Sequence, residues 1–119
     1  MAYHNELGKL GEDLAVQYLL KNGYRILCRN FIYEKAEIDI IAENSHQLVI
    51  VEVKTRNSIV FGDPQSFVNP RKIKHLVRAA NEYVLKNGID LEVRFDIISV
   101  LKNTKQECVE HFKNAFYHF

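Results

Sequence analysis

The chain has 119 residues, which is enough for one domain with its own hydrophobic core and too short for two ordinary domains. Apolar residues make up 47% and charged residues 26%, a balance typical of globular proteins and unlike that of disordered segments. The 16 basic and 15 acidic side chains leave a net charge of +1, which excludes a massively basic nucleic-acid coat protein. We therefore expect a single domain spanning residues 1–119.

The first half of the chain predicts one helix followed by three strands. Apolar residues at spacings of three and four predict a helix over 5–22, whose apolar face is Leu7, Leu10, Leu14 and Tyr18. Gly23 suits the position just after a helix end. Strands are predicted over 24–30, 36–42 and 47–54. The polar residues 43–46 between the last two strands predict a hairpin turn.

The second half predicts a loop, a helix and two strands. Gly62, Pro64 and the lack of any hydrophobic period predict a loop over 55–69. Asn69 and Pro70 resemble a helix start, so a helix is predicted over 70–87, with the buried stripe Ile73, Leu76, Val77, Ala80 and Val84. Strands are predicted over 91–101 and 108–112. The order α-β-β-β-α-β with a β tail predicts an α/β fold, in which helices cover one sheet.

Cysteines and the two chain ends give bounds on the cellular compartment. Cys28 and Cys108 are far apart and lie in no metal-binding spacing, which is typical of free thiols in a reducing cytosol. Residues 1–6 have neither the basic nor the apolar region of a signal peptide, and no apolar run is long enough to span a membrane. We expect a cytoplasmic protein. The aromatic residues that close the chain are expected to pack on the core or on a second subunit, with stacking on nucleic-acid bases as the alternative.

The strand predicted over 36–42 carries two acids within an apolar run. Glu37 and Asp39 are two residues apart and should share one face, whereas Ile38 and Ile40 should point to the other. In the next strand, Glu52 has the same relation to Lys54. These charges are unusual because a strand at the centre of a sheet is normally apolar on both faces.

If the two strands pair through their short turn, Asp39 and Glu52 come close together. A divalent cation such as Mg²⁺ would stabilise two adjacent carboxylates, and a neighbouring Lys54 can orient an attacking water. This pattern suits hydrolysis of a phosphodiester. The alternative is a half-exposed hairpin, in which Glu52 and Lys54 form ion pairs worth under about 1 kcal/mol each. The strongly apolar flanks favour the first interpretation.

Ordered segments along nearly the whole chain resemble a known family. EIDIIA and IVEVKTR, in which Glu52 follows Asp39 by thirteen residues, resemble the metal-binding pattern of the PD-(D/E)xK nuclease superfamily. With LGKLGEDLAVQYL, RNF, PRKIKHL, RFDIISV and NAFYHF, they are similar to the UPF0102 (YraN-like) family of small bacterial proteins, which resemble archaeal Holliday-junction resolvases. The resemblance implies a restriction-endonuclease-like fold with an αβββαβ core and a central mixed β-sheet flanked by helices.

The resemblance also implies a role for each candidate site residue. Asp39 and Glu52 match the metal-binding acids, Lys54 matches the catalytic lysine, and Glu12 matches an acid on the first helix that completes the site. The backbone carbonyl of Val53 is available to the same Mg²⁺ or Mn²⁺ ion. Two further polar residues are expected to support the site, Glu37 and Gln65.

The basic charge is concentrated in one part of the chain. Residues 61–80 have a net charge of +3, whereas the segments before and after each have a net charge of −1. The surplus comes from Arg71, Lys72, Lys74 and Arg78. We expect these residues to contact DNA phosphates, with Arg56, Arg25 and Arg29 extending the track. The alternative is the solvent-exposed face of an amphipathic helix.

Together these features predict a metal-dependent endonuclease that acts on DNA, with branched or recombination-intermediate DNA as the substrate that the resemblance implies. A four-way junction needs two symmetric cuts, so a homodimer would follow. The alternative is a non-catalytic nucleic-acid-binding or adaptor module of the same fold. A third interpretation is a purely structural protein, in which the acids are ordinary surface charge.

Overall fold

The computed structural model of the chain describes residues 2–57 and 68–116. Two helices and five strands are described, with these bounds: α1 Ala2–Lys21, β1 Arg25–Tyr33, β2 Ala36–Asn44, β3 Gln47–Arg56, α2 Pro70–Asn87, β4 Glu92–Lys102 and β5 Glu107–Phe112. The predicted element order and the β tail are confirmed, and each end lies within a few residues of its predicted position. The predicted loop over 55–69 lies mostly outside the described residues.

The strands form one mixed sheet in the order β1-β2-β3-β4-β5. β1, β2 and β3 are antiparallel neighbours, β4 runs parallel to β3, and β5 is antiparallel to β4. Helix α2 lies on the connection between the parallel strands β3 and β4, which need a crossover of this kind. Strand β3 is therefore central, as its apolar sequence predicts.

Each helix covers one face of the sheet and forms a separate core with it. Alternating residues of β3 and β4 point to opposite faces. The α2 core includes Leu48, Ile50, Phe95 and Ile97, together with Leu76, Ala79 and Ala80 of the helix. The α1 core includes Val49, Val51, Ile98 and Val100, together with Ala15 and Leu19 of the helix. The sheet is thus covered on both faces.

The buried face of α1 differs from the prediction. The prediction centred it on Leu7, Leu10, Leu14 and Tyr18, but Leu10 is 40% exposed, whereas Ala15 and Leu19 are fully buried. The buried line follows a spacing of four through Gly11, which packs directly against Thr55 of β3. A pattern of large apolar residues leaves out small residues such as Gly11 and Ala15, although these allow the helix to approach the sheet closely.

Helix α2 begins and ends as predicted. Asn69 caps it by accepting a hydrogen bond from the Lys72 backbone N–H at 2.8 Å, and Pro70 is its first residue. Gly88 follows it with a left-handed φ of 60°. The predicted buried stripe is confirmed, with Ala79 as an addition.

The chain end and the helices bear on two further expectations. Phe116 packs on Phe95 of the α2 core, with ring centroids 5.3 Å apart, which confirms core packing for this member of the aromatic end. Residues 117–119 lie outside the described part of the chain. Neither helix of the described ranges is long and apolar enough to cross a membrane.

Candidate functional site

The two predicted metal-binding acids lie where β2 separates from β3. The antiparallel pairing of these strands stops at Ile40 and Val51. Beyond that pair, the backbone N–H of Val53 donates to Asp39 Oδ2 at 2.8 Å, so a carboxylate replaces the usual backbone acceptor. This hydrogen bond holds the Asp39 carboxylate against β3 beside Glu52.

The alternation of β2 is interrupted at Asp39. Ile38 belongs to the α2 core and Ile40 to the α1 core, so the prediction that these isoleucines share a face is wrong. The pairing register of β1 places Asn30 opposite Asp39, and Asn30 has a left-handed backbone with a φ of 54°. Because Asp39 bonds to a backbone N–H of the neighbouring strand, it lies between the two cores at the level of the sheet.

Burial and nearby negative charge destabilise the charged forms of Asp39 and Glu52. Burial, and then the nearby charge of Glu52, raise the pKa of Asp39 to about 7, although the Val53 hydrogen bond acts in the opposite direction. Burial also raises the pKa of Glu52, whose side chain is 9% exposed. Glu52 is buried and Asp39 is half-buried, so their neighbouring negative charges favour a positive charge close to them.

Two lysines supply part of that charge. Lys72 of α2 donates a hydrogen bond from Nζ to Glu52 Oε2 and forms an ion pair with it. Lys54, exposed on β3, also lowers the pKa of Glu52 by its charge. Lys72 was predicted as a DNA contact, and the structure places it directly against a predicted metal ligand.

Glu12 approaches the same acids from α1. Arg29 donates to Glu12 Oε1 from Nε at 3.3 Å and from NH2 at 3.1 Å, and Asn30 Nδ2 donates to Glu12 Oε2 at 3.1 Å. The charge of Glu12 further raises the pKa of Asp39. Since Arg29 also donates to Asp13 at 2.8 Å, this predicted DNA contact is held among acids of α1.

Two cavities lie on either side of Glu37. The cavity beside α2, named here the α2 cavity, has a volume of about 260 Å³ and is lined by Lys35, Ala36, Glu37, Asn69, Arg71, Lys72, His75 and Leu76. The α1 cavity has a volume of about 660 Å³ and is lined by Gly8, Lys9, Glu12, Asp13, Arg29, Asn30 and Glu37. Glu37 is exposed, and its charge raises the pKa of both Asp39 and Glu52.

The remaining predicted DNA contacts are spread over the surface. Lys74 is exposed on α2, and Arg78 pairs with Glu34 at 3.5 Å. Arg25 pairs with Glu43 at 2.5 Å, at the end of β1 remote from Asp39. Arg56 is half-buried at the end of β3. Gln65 lies outside the described residues.

The donor set at Asp39 and Glu52 is compatible with Mg²⁺ or Mn²⁺. Within residues 2–57 and 68–116, no three His, Cys, Asp or Glu side chains converge closely enough to hold an ion by themselves. Mg²⁺ does not require three, because it is commonly held by one or two carboxylates together with waters and substrate phosphates. Asp39, Glu52 and the carbonyl of Val53 are oxygen donors of that kind.

A buried polar cluster between α1, β4 and β5 was not predicted. Asp96 is fully buried and accepts hydrogen bonds from Arg94 Nε at 2.9 Å, from His111 Nε2 at 2.6 Å and from the Asn114 backbone at 2.9 Å. Burial alone would raise the pKa of Asp96, but the bonds from His111 and Arg94 lower it overall. Tyr18 of α1 contacts His111 Nδ1 at 3.1 Å and completes the cluster.

This cluster connects the C-terminal part of the chain to the first helix. Asp96, between Phe95 and Ile97, is a charged residue within an apolar strand, as Asp39 is. The sequence pattern could therefore have indicated it. Its partners had no such signal, since Tyr18 and His111 are 93 residues apart in the sequence.

The described elements form an α/β domain with a five-stranded mixed sheet and two helices. This architecture is compatible with a restriction-endonuclease-like core. Residues 11–100 match the model of the family described as "Uncharacterised protein family UPF0102". The chain therefore belongs to the UPF0102 family, as its sequence motifs predicted.

Relatives confirm this membership over the full length of the chain. The chain is 62% identical over 119 residues to a UPF0102 protein of Flavobacterium psychrophilum, with both chains completely covered. It is 53% identical over 123 aligned positions to a UPF0102 protein of Flavobacterium johnsoniae, again with complete coverage of both. A UPF0102 protein of Bacteroides thetaiotaomicron is 49% identical over 117 residues, covering 98% of this chain and 97% of the relative.

Proposed function

We propose that the protein is a metal-dependent endonuclease that hydrolyses DNA phosphodiester bonds. The observation that carries the proposal is the pair of largely buried carboxylates, Asp39 and Glu52, held together where β2 separates from β3. Neighbouring carboxylates cost stability unless a cation compensates them, and such a cost is typical of a functional site. The resemblance of the acid and lysine pattern to the PD-(D/E)xK nucleases supports the same conclusion.

Each residue of the site has a distinct task in this proposal. Asp39, Glu52 and the Val53 carbonyl hold the ion, and the Val53 N–H fixes the orientation of the Asp39 carboxylate. When bound, Mg²⁺ or Mn²⁺ supplies charge neutralisation at the phosphate and lowers the pKa of water. Lys54 positions the attacking water and hydrogen-bonds to it.

Glu12 assists from helix α1, whereas Asp39 and Glu52 lie on β2 and β3. Its carboxylate is held by Arg29 and Asn30, which limits its movement, and its negative charge acts on Asp39. Removing Glu12 should therefore weaken the site without dismantling it, because the two acids that hold the ion come from other elements.

The substrate class follows from the resemblance to Holliday-junction resolvases. We propose branched or recombination-intermediate DNA, which a homodimer would cut symmetrically on two strands. In a dimer of this kind, each copy would present one pair of acids to one strand.

The test is a cleavage assay with purified protein. Labelled four-way junction, flap, single-stranded and duplex DNA are each incubated with Mg²⁺, with Mn²⁺ or with EDTA. Cleavage should require a metal and should be lost in Asp39→Asn and in Lys54→Ala. Asp90→Asn, the same change at an exposed position outside the site, is the control and should cleave normally.

Two other outcomes would contradict the proposal. DNA binding without cleavage, unchanged in Asp39→Asn and Lys54→Ala, would instead indicate a non-catalytic binding or adaptor module. If neither DNA nor metal binds, the acids are ordinary structural charge.

A further inference from the structure

The α2 cavity collects positive charge from two separate parts of the chain. Lys35 comes from the turn between β1 and β2, whereas Arg71, Lys72 and His75 come from α2. Glu37 also lines this cavity, and its negative charge offsets part of the positive charge. A concave surface with this excess of cationic donors is suited to an anion rather than to a neutral ligand.

The site does not depend on the free N–H groups at the start of α2. The Lys72 N–H already donates to the Asn69 side chain at 2.8 Å, and Ile73 N–H donates to the Asn69 carbonyl at 2.9 Å. Anion binding in this cavity therefore depends on side chains. The buried residues Ala36 and Leu76 also line the cavity.

The number of cations indicates which kind of phosphate fits. A phosphodiester carries a single negative charge, whereas a phosphomonoester carries about −1.5 to −2 charges and three strong acceptor oxygens. Lys35, Arg71 and Lys72 face one acid, Glu37, so two positive charges remain once a cation at Glu52 releases Lys72. Two charges match a phosphomonoester and exceed the single charge of a diester. We propose that the α2 cavity binds the terminal phosphomonoester of a DNA strand. This inference rests on the proposed nuclease function and specifies its branched substrate as one that carries a phosphorylated strand end, as a flap or a nicked junction does.

Lys72 connects this subsite to the acids. The same ammonium group pairs with Glu52 and lines the α2 cavity, so the two binding positions share a cation. Any positive ligand that neutralises Glu52 leaves Lys72 available to the phosphate. A strand end bound in the α2 cavity would therefore lie close to the carboxylates. The rest of the substrate strand would run past Glu37, which lines both cavities.

The test measures binding of short single-stranded DNA by fluorescence anisotropy. Probes carry a 5′-phosphate, a 5′-hydroxyl, a 3′-phosphate or a 3′-hydroxyl, with the label at the opposite end. EDTA is present, so metal-dependent cleavage cannot consume the probe. Every protein measured carries Glu52→Gln, because a neutral amide at this position leaves Lys72 free as a bound cation would. We expect one phosphorylated end to bind about tenfold more tightly than its hydroxyl counterpart, as one additional charge-assisted contact would give. The 5′ and 3′ probes distinguish which end the cavity accepts.

Two charge-matched variants localise the effect. Arg71→Gln removes a cation that lines the cavity, and Lys74→Gln removes an exposed cation of the same helix that does not line it. Both should weaken general DNA binding to a similar degree, but only Arg71→Gln should abolish the preference for the phosphorylated end. Thermal melting of both variants confirms that they fold.

The outcomes separate this inference from the proposed function. Equal binding of phosphorylated and hydroxyl ends overturns the inference and leaves the nuclease proposal intact. A preference that survives in Arg71→Gln also overturns it, because the phosphate would then bind elsewhere. If no DNA binds, both proposals fail.

Discussion

Helix α1 approaches β3 closely at Gly11, which packs against Thr55. A Cβ added at Gly11 would overlap Thr55 Oγ1 and would lie 2.5 Å from its Cγ2 and 2.7 Å from its Cβ. Rotating the Thr55 side chain cannot relieve the last contact, because Cβ does not move with χ1. Gly11→Ala therefore forces the helix away from the strand. Since Glu12 is the next residue, the same displacement moves an acid of the site.

The expected cost follows from two opposing effects. Overpacking of this kind costs about 1–3 kcal/mol. Replacing glycine by alanine within a helix recovers about 1 kcal/mol. We expect Gly11→Ala to lower the free energy of unfolding by up to about 2 kcal/mol. The middle of this range, about 1 kcal/mol, corresponds to a fall of about 5 °C in melting temperature.

The chain offers a matched control in the same helix. A Cβ at Gly8 would meet no atom within 4 Å, so Gly8→Ala should be neutral or stabilising by up to about 1 kcal/mol. Urea denaturation monitored by circular dichroism measures both variants. Adding Thr55→Gly to Gly11→Ala removes the blocking atoms and should give a coupling energy of about 1 kcal/mol or more. If Gly11→Ala is as stable as Gly8→Ala, the helix does not pack against β3 in this way.

Two further predictions concern the buried charges. Asp96→Asn should cost about 3 kcal/mol at neutral pH, because it leaves Arg94 without its buried partner. The lowered pKa of Asp96 means that its stabilisation is present above the ordinary value of 3.8 and is lost as the pH falls. Urea melts from neutral to acid pH should therefore show the difference shrinking toward the acid end, and a constant difference, like that of the exposed control Asp90→Asn, would contradict this. Lys72→Met should lower the melting temperature of the metal-free protein, because Glu52 loses its ion-pair partner. The same variant should bind Mn²⁺ about tenfold more tightly, because no cation then competes for Glu52. An unchanged Mn²⁺ affinity in calorimetry would refute the shared role of Lys72.

Local patterns were sufficient to predict the secondary structure and the strand pairing that places Asp39 beside Glu52. The apolar content of β2 and β3 and the polar turn between them predicted the hairpin that brings Asp39 and Glu52 together. The cap at Asn69 and the glycine at 88 predicted both ends of α2. These features depend on neighbours in the sequence, which is why the sequence alone was enough.

Contacts between distant elements were not predictable in this way. The ion pair of Lys72 with Glu52 joins α2 to β3, and nothing in either segment distinguishes Lys72 from Lys74 as its partner. The break in β2 at Asp39 coincides with a left-handed backbone at Asn30 on one neighbouring strand and with the Val53 N–H bond on the other. The burial of α1 through Gly11 depended on a small residue, which a pattern of large apolar residues overlooks.

The claim that Asp39 and Glu52 together hold a divalent cation is tested most directly by titrating the protein with Mn²⁺ in an isothermal calorimeter. We expect saturable binding of one ion per chain by the native protein, and loss of that binding in Asp39→Asn. The control Asp90→Asn should bind like the native protein. Absence of binding by the native protein, or equal binding by Asp39→Asn, would contradict the assignment of these two acids as a metal site.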